Sequence, residues 1–203
     1  MTPPAGLAPA LAAIAGPRWV STADEALLAH AHDALGVGRR PDVVVTPGTV
    51  AEVAAVARLC HDTRTPLVVR GAGTGYTGGA VPIRGGVVLS MTRFTRIMAI
   101  DDANLLAVVQ PNVVTRDLHR AVEARGLFYP PDPASLAECA VGGNLAECAG
   151  GPRAFKYGTT RRYVLALEAV LPTGEVLRTG SQCVKNVAGY SLTDLLEIGR
   201  AHV

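Results

Sequence analysis

The chemistry-bearing feature of this 203-residue chain is a run of small residues rather than a catalytic cluster. Gly71-Ala72-Gly73-Thr74-Gly75-Tyr76-Thr77-Gly78-Gly79 has five glycines in nine positions. Glycine adopts left-handed backbone without steric cost and lets a ligand approach the main chain. Successive N–H groups in such a turn converge into an anion-binding nest, for which a phosphate or pyrophosphate is the natural guest. Thr74 and Thr77 add hydroxyl donors, and Arg70 stands where it can order the loop or add positive charge. Gly73-x-Gly75-x-x-Gly78 also spells the dinucleotide fingerprint G-x-G-x-x-G. That fingerprint works only where its last glycine opens a helix facing the pyrophosphate. Here Pro82 and Gly85-Gly86 follow, then a strand, and no acidic residue ends that strand. The dinucleotide-fold reading therefore fails on context, while the anion-binding physics of the loop survives.

A second small-residue cluster lies downstream. Tyr129-Pro130-Pro131-Asp132-Pro133-Ala134-Ser135 leads into Val141-Gly142-Gly143-Asn144, then Cys148, Gly150-Gly151 and Lys156-Tyr157-Gly158. Small residues again admit a large flat or charged ligand, with Asn144, Ser135 and backbone amides as hydrogen-bonding groups. Two such clusters in one chain suggest one extended ligand touched at several points.

Other reactive residue types give little. Cys60, Cys139, Cys148 and Cys183 include no C-x-x-C pair, so neither a zinc site nor a redox dithiol is expected, and no metal. They read as free thiols of a cytoplasmic protein. His30, His32, His61 and His119 fall on expected helices and read as surface residues, so no general base is assigned.

The elements that must hold these clusters follow from hydrophobic periodicity. Residues 1–40 read as a helical arm, with a helix over Thr22–Leu35 ended by Gly36-Val37-Gly38. Val43–Val45 is a buried-type strand. Thr49 and Glu52 form a capping box ahead of the stripe Val53, Val56, Ala57, Cys60. Leu67–Arg70 is the next strand, so Asp42–Arg70 reads as a strand–helix–strand unit whose helix is the crossover that parallel pairing requires. Strands follow at Val87–Ser90, Arg96–Ile100 and Leu105–Gln110, and a helix at Thr115–Ala124. Residues 128–160 form a long stretch rich in proline and glycine, and Tyr163–Leu171 with Val176-Leu177 reads as a hairpin. This order predicts an α+β fold of two small layered lobes rather than a doubly wound sheet.

Bulk properties exclude several functions. A net charge of +2 with scattered arginines gives no nucleic-acid or membrane-surface footprint. No apolar run approaches the roughly 20 residues that span a bilayer.

In this order, Arg70–Gly79, Tyr129–Ser135, Gly142–Gly158, Tyr163–Gly180 and Val184–Leu195 resemble the FAD-binding domain of the vanillyl-alcohol oxidase / p-cresol methylhydroxylase superfamily (PCMH type). The D-lactate dehydrogenase / glycolate oxidase D-subunit branch is the nearest match. The resemblance covers residues 41–196 and implies two α/β lobes with FAD between them. It implies that Arg70, Gly71, Ala72, Gly73, Thr74, Gly75, Thr77, Gly78 and Gly79 hold the pyrophosphate. It places Pro131, Asp132, Ser135, Val141, Gly142, Gly143, Asn144 and Cys148 near the ribityl chain and isoalloxazine. Gly150, Gly151, Tyr157 and Gly158 continue along the cofactor, and Val164 approaches the adenine end through its backbone. Some superfamily members link FAD covalently through a His where this chain has Thr74, so dissociable FAD is expected. Many relatives have Asn where this chain has Cys148, and a thiol is the poorer hydrogen-bond partner.

The family pattern continues past Leu196 into Gly-Ser-Glu-Gly-Thr-Leu-Gly. This chain ends instead in Glu197-Ile198-Gly199-Arg200-Ala201-His202-Val203, which one reading frame of a common sequencing adapter encodes. Residues 197–203 are therefore expected to be a non-native tail, and the substrate cap with its catalytic residues is expected to lie outside this fragment. The resemblance implies an oxidoreductase transferring hydride from a 2-hydroxy acid of the D-lactate or glycolate type to FAD. Reoxidation would fall to a quinone, partner oxidase subunits or oxygen, with membrane association through those subunits. A non-catalytic FAD or phosphate-ligand binding module and a UDP-N-acetylmuramate reductase-like enzyme are the alternatives, and Val184–Tyr190 favours the first branch over the latter.

Overall fold

A computed structural model describes residues 6–185 and 187–197. The expected tail therefore lies outside the described residues from position 198 onward, as does Asn186. The chain divides into two compact units. One comprises residues up to Arg93 with Ala169–Leu177, the other Phe94–Glu168 with residues from Arg178 onward.

The first unit starts with α1 (Leu7–Ala15), β1 (Val20–Ser21) and α2 (Asp24–Ala29). Leu7, Leu11 and Ala15 recur along one face of α1 and are buried, with Leu11 fully so. They pack into one cluster with Val43, Val45, Val56, Cys60, Val87 and Leu89. The segment read as an arm is thus built into the core of this unit, and β1 adds to its sheet by antiparallel pairing with β2 (Val43–Val45).

Helix α3 (Val50–Asp62) begins as its cap residues dictate. Thr49 Oγ1 accepts from the Glu52 N–H at 3.2 Å, and Glu52 Oε2 accepts from the Gly48 N–H at 2.7 Å. Strands β3 (Leu67–Arg70) and β4 (Val87–Ser90) complete a four-stranded sheet of order β1-β2-β4-β3. Both β2 and β3 run parallel to β4, with Val43 and Leu67 each opposite Val87. The strand–helix–strand unit forms as expected, but its two strands are not neighbours, because β4 inserts between them. Val87, Val88 and Leu89 are almost fully buried, as a strand paired on both edges requires.

Helix α2 stops at Ala29, six residues short of the expected end. The backbone then closes a tight loop. The Arg39 N–H donates to the Ala31 carbonyl at 3.0 Å, and His32 bridges Gly38. A Cβ at Gly38 would collide with that same carbonyl. Helical periodicity among Ala26, Leu27 and Leu35 could not register these contacts.

The second unit holds β5 (Ile97–Asp101), β6 (Leu106–Val109), α4 (Thr115–Glu123), α5 (Val141–Glu147), α6 (Ala154–Tyr157) and α7 (Leu192–Glu197). Strands β5 and β6 form an antiparallel ribbon. Val113, Leu118, Val122 and Val141 make the core. The proline- and glycine-rich residues 128–160 contain the short helices α5 and α6. The paired strands β7 (Ala166–Val170) and β8 (Val176–Gly180) form the expected hairpin, whose turn belongs to the first unit by its contacts. Among the described residues, no helix is long and apolar enough to cross a membrane.

Candidate functional site

In the first unit the glycine loop leaves the end of β3 and runs to β4 with no intervening helix, which is why its dinucleotide-like spelling is not a dinucleotide fold. Arg70 closes β3 with its side chain turned under the loop, 8% exposed. Its Nη1 donates to the His32 carbonyl at 2.9 Å and to the Ala80 carbonyl at 3.4 Å. The guanidinium packs against Gly73, where any Cβ would strike it, and Gly73 has φ of 72°. Burial lowers the Arg70 pKa, and the charge of Asp33 opposes that shift. Arg70 therefore orders the loop from within.

Asp33 is the residue that sequence reasoning missed. It is 7% exposed. Its Oδ2 accepts from the Gly78 N–H at 3.0 Å and its Oδ1 from the Leu35 N–H at 3.0 Å. The Ala34 N–H donates to the Gly75 carbonyl at 3.2 Å. An Asp bonded two residues ahead and followed by Gly36 is the signal of an Asx turn, and it ends the helix that the spacing of Ala26, Leu27 and Leu35 predicts.

What the loop presents outward fits a phosphate. Among the described residues, the amides of Gly71, Ala72, Gly73, Thr74, Gly75 and Tyr76 meet no protein acceptor. A Cβ at Gly75 or Gly78 would meet nothing within 4 Å, so the main chain there is bare. Beside the loop opens a cleft of about 400 Å³ lined by Asp33, Tyr76, Thr77, Gly78, Val81 and Ile83. Gly79 continues the loop at intermediate exposure. Unpaired amides over bare glycines are the physical content of an anion nest.

The second unit brings another set together. Pro131 is buried, and its carbonyl faces His119 Nε2 at 2.8 Å. His119 is itself 5% exposed and packs edge-on against Tyr129, with ring centroids 5.6 Å apart. The expectation of a surface histidine is therefore corrected. His119 lies on the inner face of α4 and fixes the proline-rich loop. Asp132 Oδ1 accepts from the Arg153 N–H at 3.1 Å, and the Asp132 carbonyl fills the place where a Cβ of Gly151 would stand. The Ser135 carbonyl accepts from the N–H groups of Glu138 and Cys139, both at 2.8 Å.

On α5, Val141 is buried and Gly142 packs against Pro111, 2.6 Å from any added Cβ, whereas Gly143 faces nothing within 4 Å. The Asn144 Nδ2 donates to Thr115 Oγ1 at 2.6 Å, and that hydroxyl donates to the Cys139 carbonyl at 3.2 Å. Asn144 is 4% exposed, so its amide donor serves the unit's interior. Cys148 caps α5 in the left-handed region with φ of 48°, and its Sγ lies 3.0 Å from Thr159 Oγ1. A side chain other than Asn, Asp or His is uncommon in that conformation. Gly150 sits against Ala154, and Gly158, with φ of 87°, against Arg162. The Tyr157 carbonyl accepts from the Tyr163 hydroxyl at 2.7 Å. Val164 leads into β7.

Comparison with known proteins is consistent with this geometry. Residues 41–180 match the family described as FAD binding domain. Glycolate oxidase subunit GlcD of Bacillus subtilis is 44% identical over 90% of this chain and 39% of its own length. D-lactate dehydrogenase of Anaerostipes hadrus is 43% identical over 89% of this chain and 38% of its own. The chain thus spans about two-fifths of the curated relatives it matches. Among solved structures, p-cresol methylhydroxylase with substrate bound has a TM-score of 0.80 at 24% identity, covering 95% of this chain and 40% of that one. The 4-ethylphenol oxidase of Gulosibacter chungangensis has a TM-score of 0.76 at 27% identity, with 95% and 39% covered.

Proposed function

Because this chain belongs to the FAD binding domain family, with the α+β fold of the PCMH-type flavoenzymes, we propose that it is the FAD-binding portion of a flavin-dependent oxidoreductase acting on a 2-hydroxy acid of the D-lactate or glycolate type. The observation that carries the reading is the outward face of the Gly71–Gly79 loop, where the bare Gly75 and the amides of residues 71–76, which meet no acceptor among the described residues, sit over a buried guanidinium. The identity to a glycolate oxidase subunit and to a D-lactate dehydrogenase supports the substrate class.

FAD, when bound, supplies the hydride-accepting chemistry, and the protein supplies orientation and electrostatics. We assign the FAD-binding domain to residues 41–196. Arg70, Gly71, Ala72, Gly73, Thr74, Gly75, Thr77, Gly78 and Gly79 build the loop that holds the diphosphate, with Arg70 and Gly78 fixing its shape from beneath. Pro131, Asp132, Ser135, Val141, Gly142, Gly143, Asn144 and Cys148 set the wall toward the ribityl chain and flavin ring. Gly150, Gly151, Tyr157, Gly158 and Val164 extend it. With Thr74 in the loop, FAD is held without a covalent bond. Electrons leave to a quinone or to partner oxidase subunits.

The test is optical. Purified chain titrated with FAD quenches flavin fluorescence, and trichloroacetic acid releases all of the yellow colour into the supernatant. A folded chain that leaves FAD fluorescence unchanged would refute the reading, and colour retained in the pellet would refute the non-covalent part. Bleaching of the same flavin by D-lactate or glycolate, tested in the longer polypeptide, checks the substrate class.

A further inference from the structure

Segment His32–Leu35 and the glycine loop are stitched at several points, and one of them is unusual for an anion site. A loop expected to attract a phosphate has a carboxylate beneath it. Asp33 is 7% exposed, and both its oxygens are engaged by backbone N–H groups, Gly78 on the loop and Leu35 on its own turn. A buried carboxylate is costly unless it is hydrogen-bonded and compensated. Here Arg70 provides the compensation, since the two side chains interact electrostatically and Arg70 is itself anchored to the His32 and Ala80 carbonyls.

The division of labour among the loop amides follows from these contacts. The Gly78 N–H points inward at Asp33, and Gly78 has φ of 77°, in the left-handed region. The amides of residues 71–76 meet no protein acceptor among the described residues. Holding one glycine inward fixes the turn that leaves the preceding amides outward. Ordering a flexible backbone costs about 1–2 kcal/mol per residue, and a loop ordered in advance spares the ligand that cost.

We propose that Asp33 is a positioning residue for the diphosphate. It takes the Gly78 N–H for the protein, locks the loop before the cofactor arrives, and with Arg70 forms a neutral foundation that does not repel the incoming anion. This rests on the FAD reading above. It assigns a role to a residue of the 1–40 segment, outside residues 41–180 matched by the family.

Two measurements test it. The first is hydrogen exchange on the unaltered chain with and without FAD. Gly78 should be protected in the free protein, and FAD should add protection at residues 73–76 without adding it at Gly78. A Gly78 amide that exchanges freely until FAD binds would overturn the proposal.

The second compares Asp33→Asn with the unaltered chain for binding of FAD, ADP and riboflavin. The variant should weaken FAD and ADP at least tenfold and leave riboflavin, which has no diphosphate, within about twofold. A purely structural lesion would weaken all three alike and overturn the positioning role, as would unchanged FAD and ADP binding. An unaltered chain that binds neither FAD nor ADP would remove the FAD reading itself, a different failure from an unaltered chain that binds both equally well as its variant.

Discussion

The two glycine clusters have similar composition and behave oppositely. In the first unit, a Cβ at Gly75 or Gly78 would meet open space, and among the described residues the amides of residues 71–76 meet no protein acceptor. In the second, a Cβ at Gly142, Gly151 or Gly158 would run into Pro111, the Asp132 carbonyl or Arg162. The first cluster is bare toward the outside except at Gly73, where Arg70 fills the Cβ position, and most of the second is small so that the chain can pack against itself. Gly143, which meets nothing within 4 Å, is the exception. Glycine richness in a sequence thus marks close approach, and only the fold says whether the approaching atoms belong to a ligand or to the protein.

The sharpest way to break this contrast is to add a methyl group at Gly151, where φ is 152° and the backbone of Asp132 leaves no room. Gly151→Ala should destabilise the second unit by about 3 kcal/mol. Near-UV circular dichroism of Tyr129, Tyr157 and Tyr163 would report the loss, while fluorescence of the sole tryptophan, Trp19, should show the first unit intact. The complementary change is Gly75→Val. Gly75 lies outside the positive-φ set and faces open space. Urea stability should move by less than about 0.5 kcal/mol, yet FAD affinity should fall about 100-fold, equivalent to about 2.7 kcal/mol. Equal affinity for both chains would show that the bare face is not the ligand's.

Asn144→Ala should cost about 2 kcal/mol of stability by leaving the buried Thr115 hydroxyl without its donor. If FAD binding fell while urea stability did not, Asn144 would be a ligand contact rather than an interior strut. The smallest contrast is one of pH. Glu197 is 1% exposed, and among the described residues both its carboxylate oxygens lack partners. Burial, with Asp194 adding and Arg161 opposing, pushes its pKa from 4.5 up to about 7. The folded state holds the proton more tightly, so this contribution to stability is complete below pH 4.5 and is lost as pH rises through about 7. Urea melts followed by tyrosine dichroism at pH 5 and pH 8 should differ, and Glu197→Gln should erase the difference.

Much of this was legible in the residues. The Thr49–Glu52 cap, the Val43–Val45 and Leu67–Arg70 strands and the helix from Thr115 follow from local patterns, and the structure has them. What escaped were consequences of distant contacts. No local rule places β4 between β2 and β3. Residues 31–39 leave the helix because of bonds to a loop some 40 positions away, such as Gly78 to Asp33. His119 carries a helical surface residue's spacing but is buried because the proline-rich loop lies against it. The short helix α5 hides behind Gly142-Gly143, residues of poor helix propensity kept there by close packing on Pro111 and by the open face at Gly143.

The strand order has a consequence for the newborn chain. Strands β2 and β3 meet only through β4. When the ribosome has released the first seventy residues, the two flanking strands are present and the one that joins them is still unmade. The edges that face β4 stay unpaired until Val87–Ser90 emerges, and exposed edges in a half-made sheet invite pairing with other chains. The glycine loop lies in the stretch that must pass before that strand arrives, so the sheet cannot close until the bend that would grip a cofactor has been made.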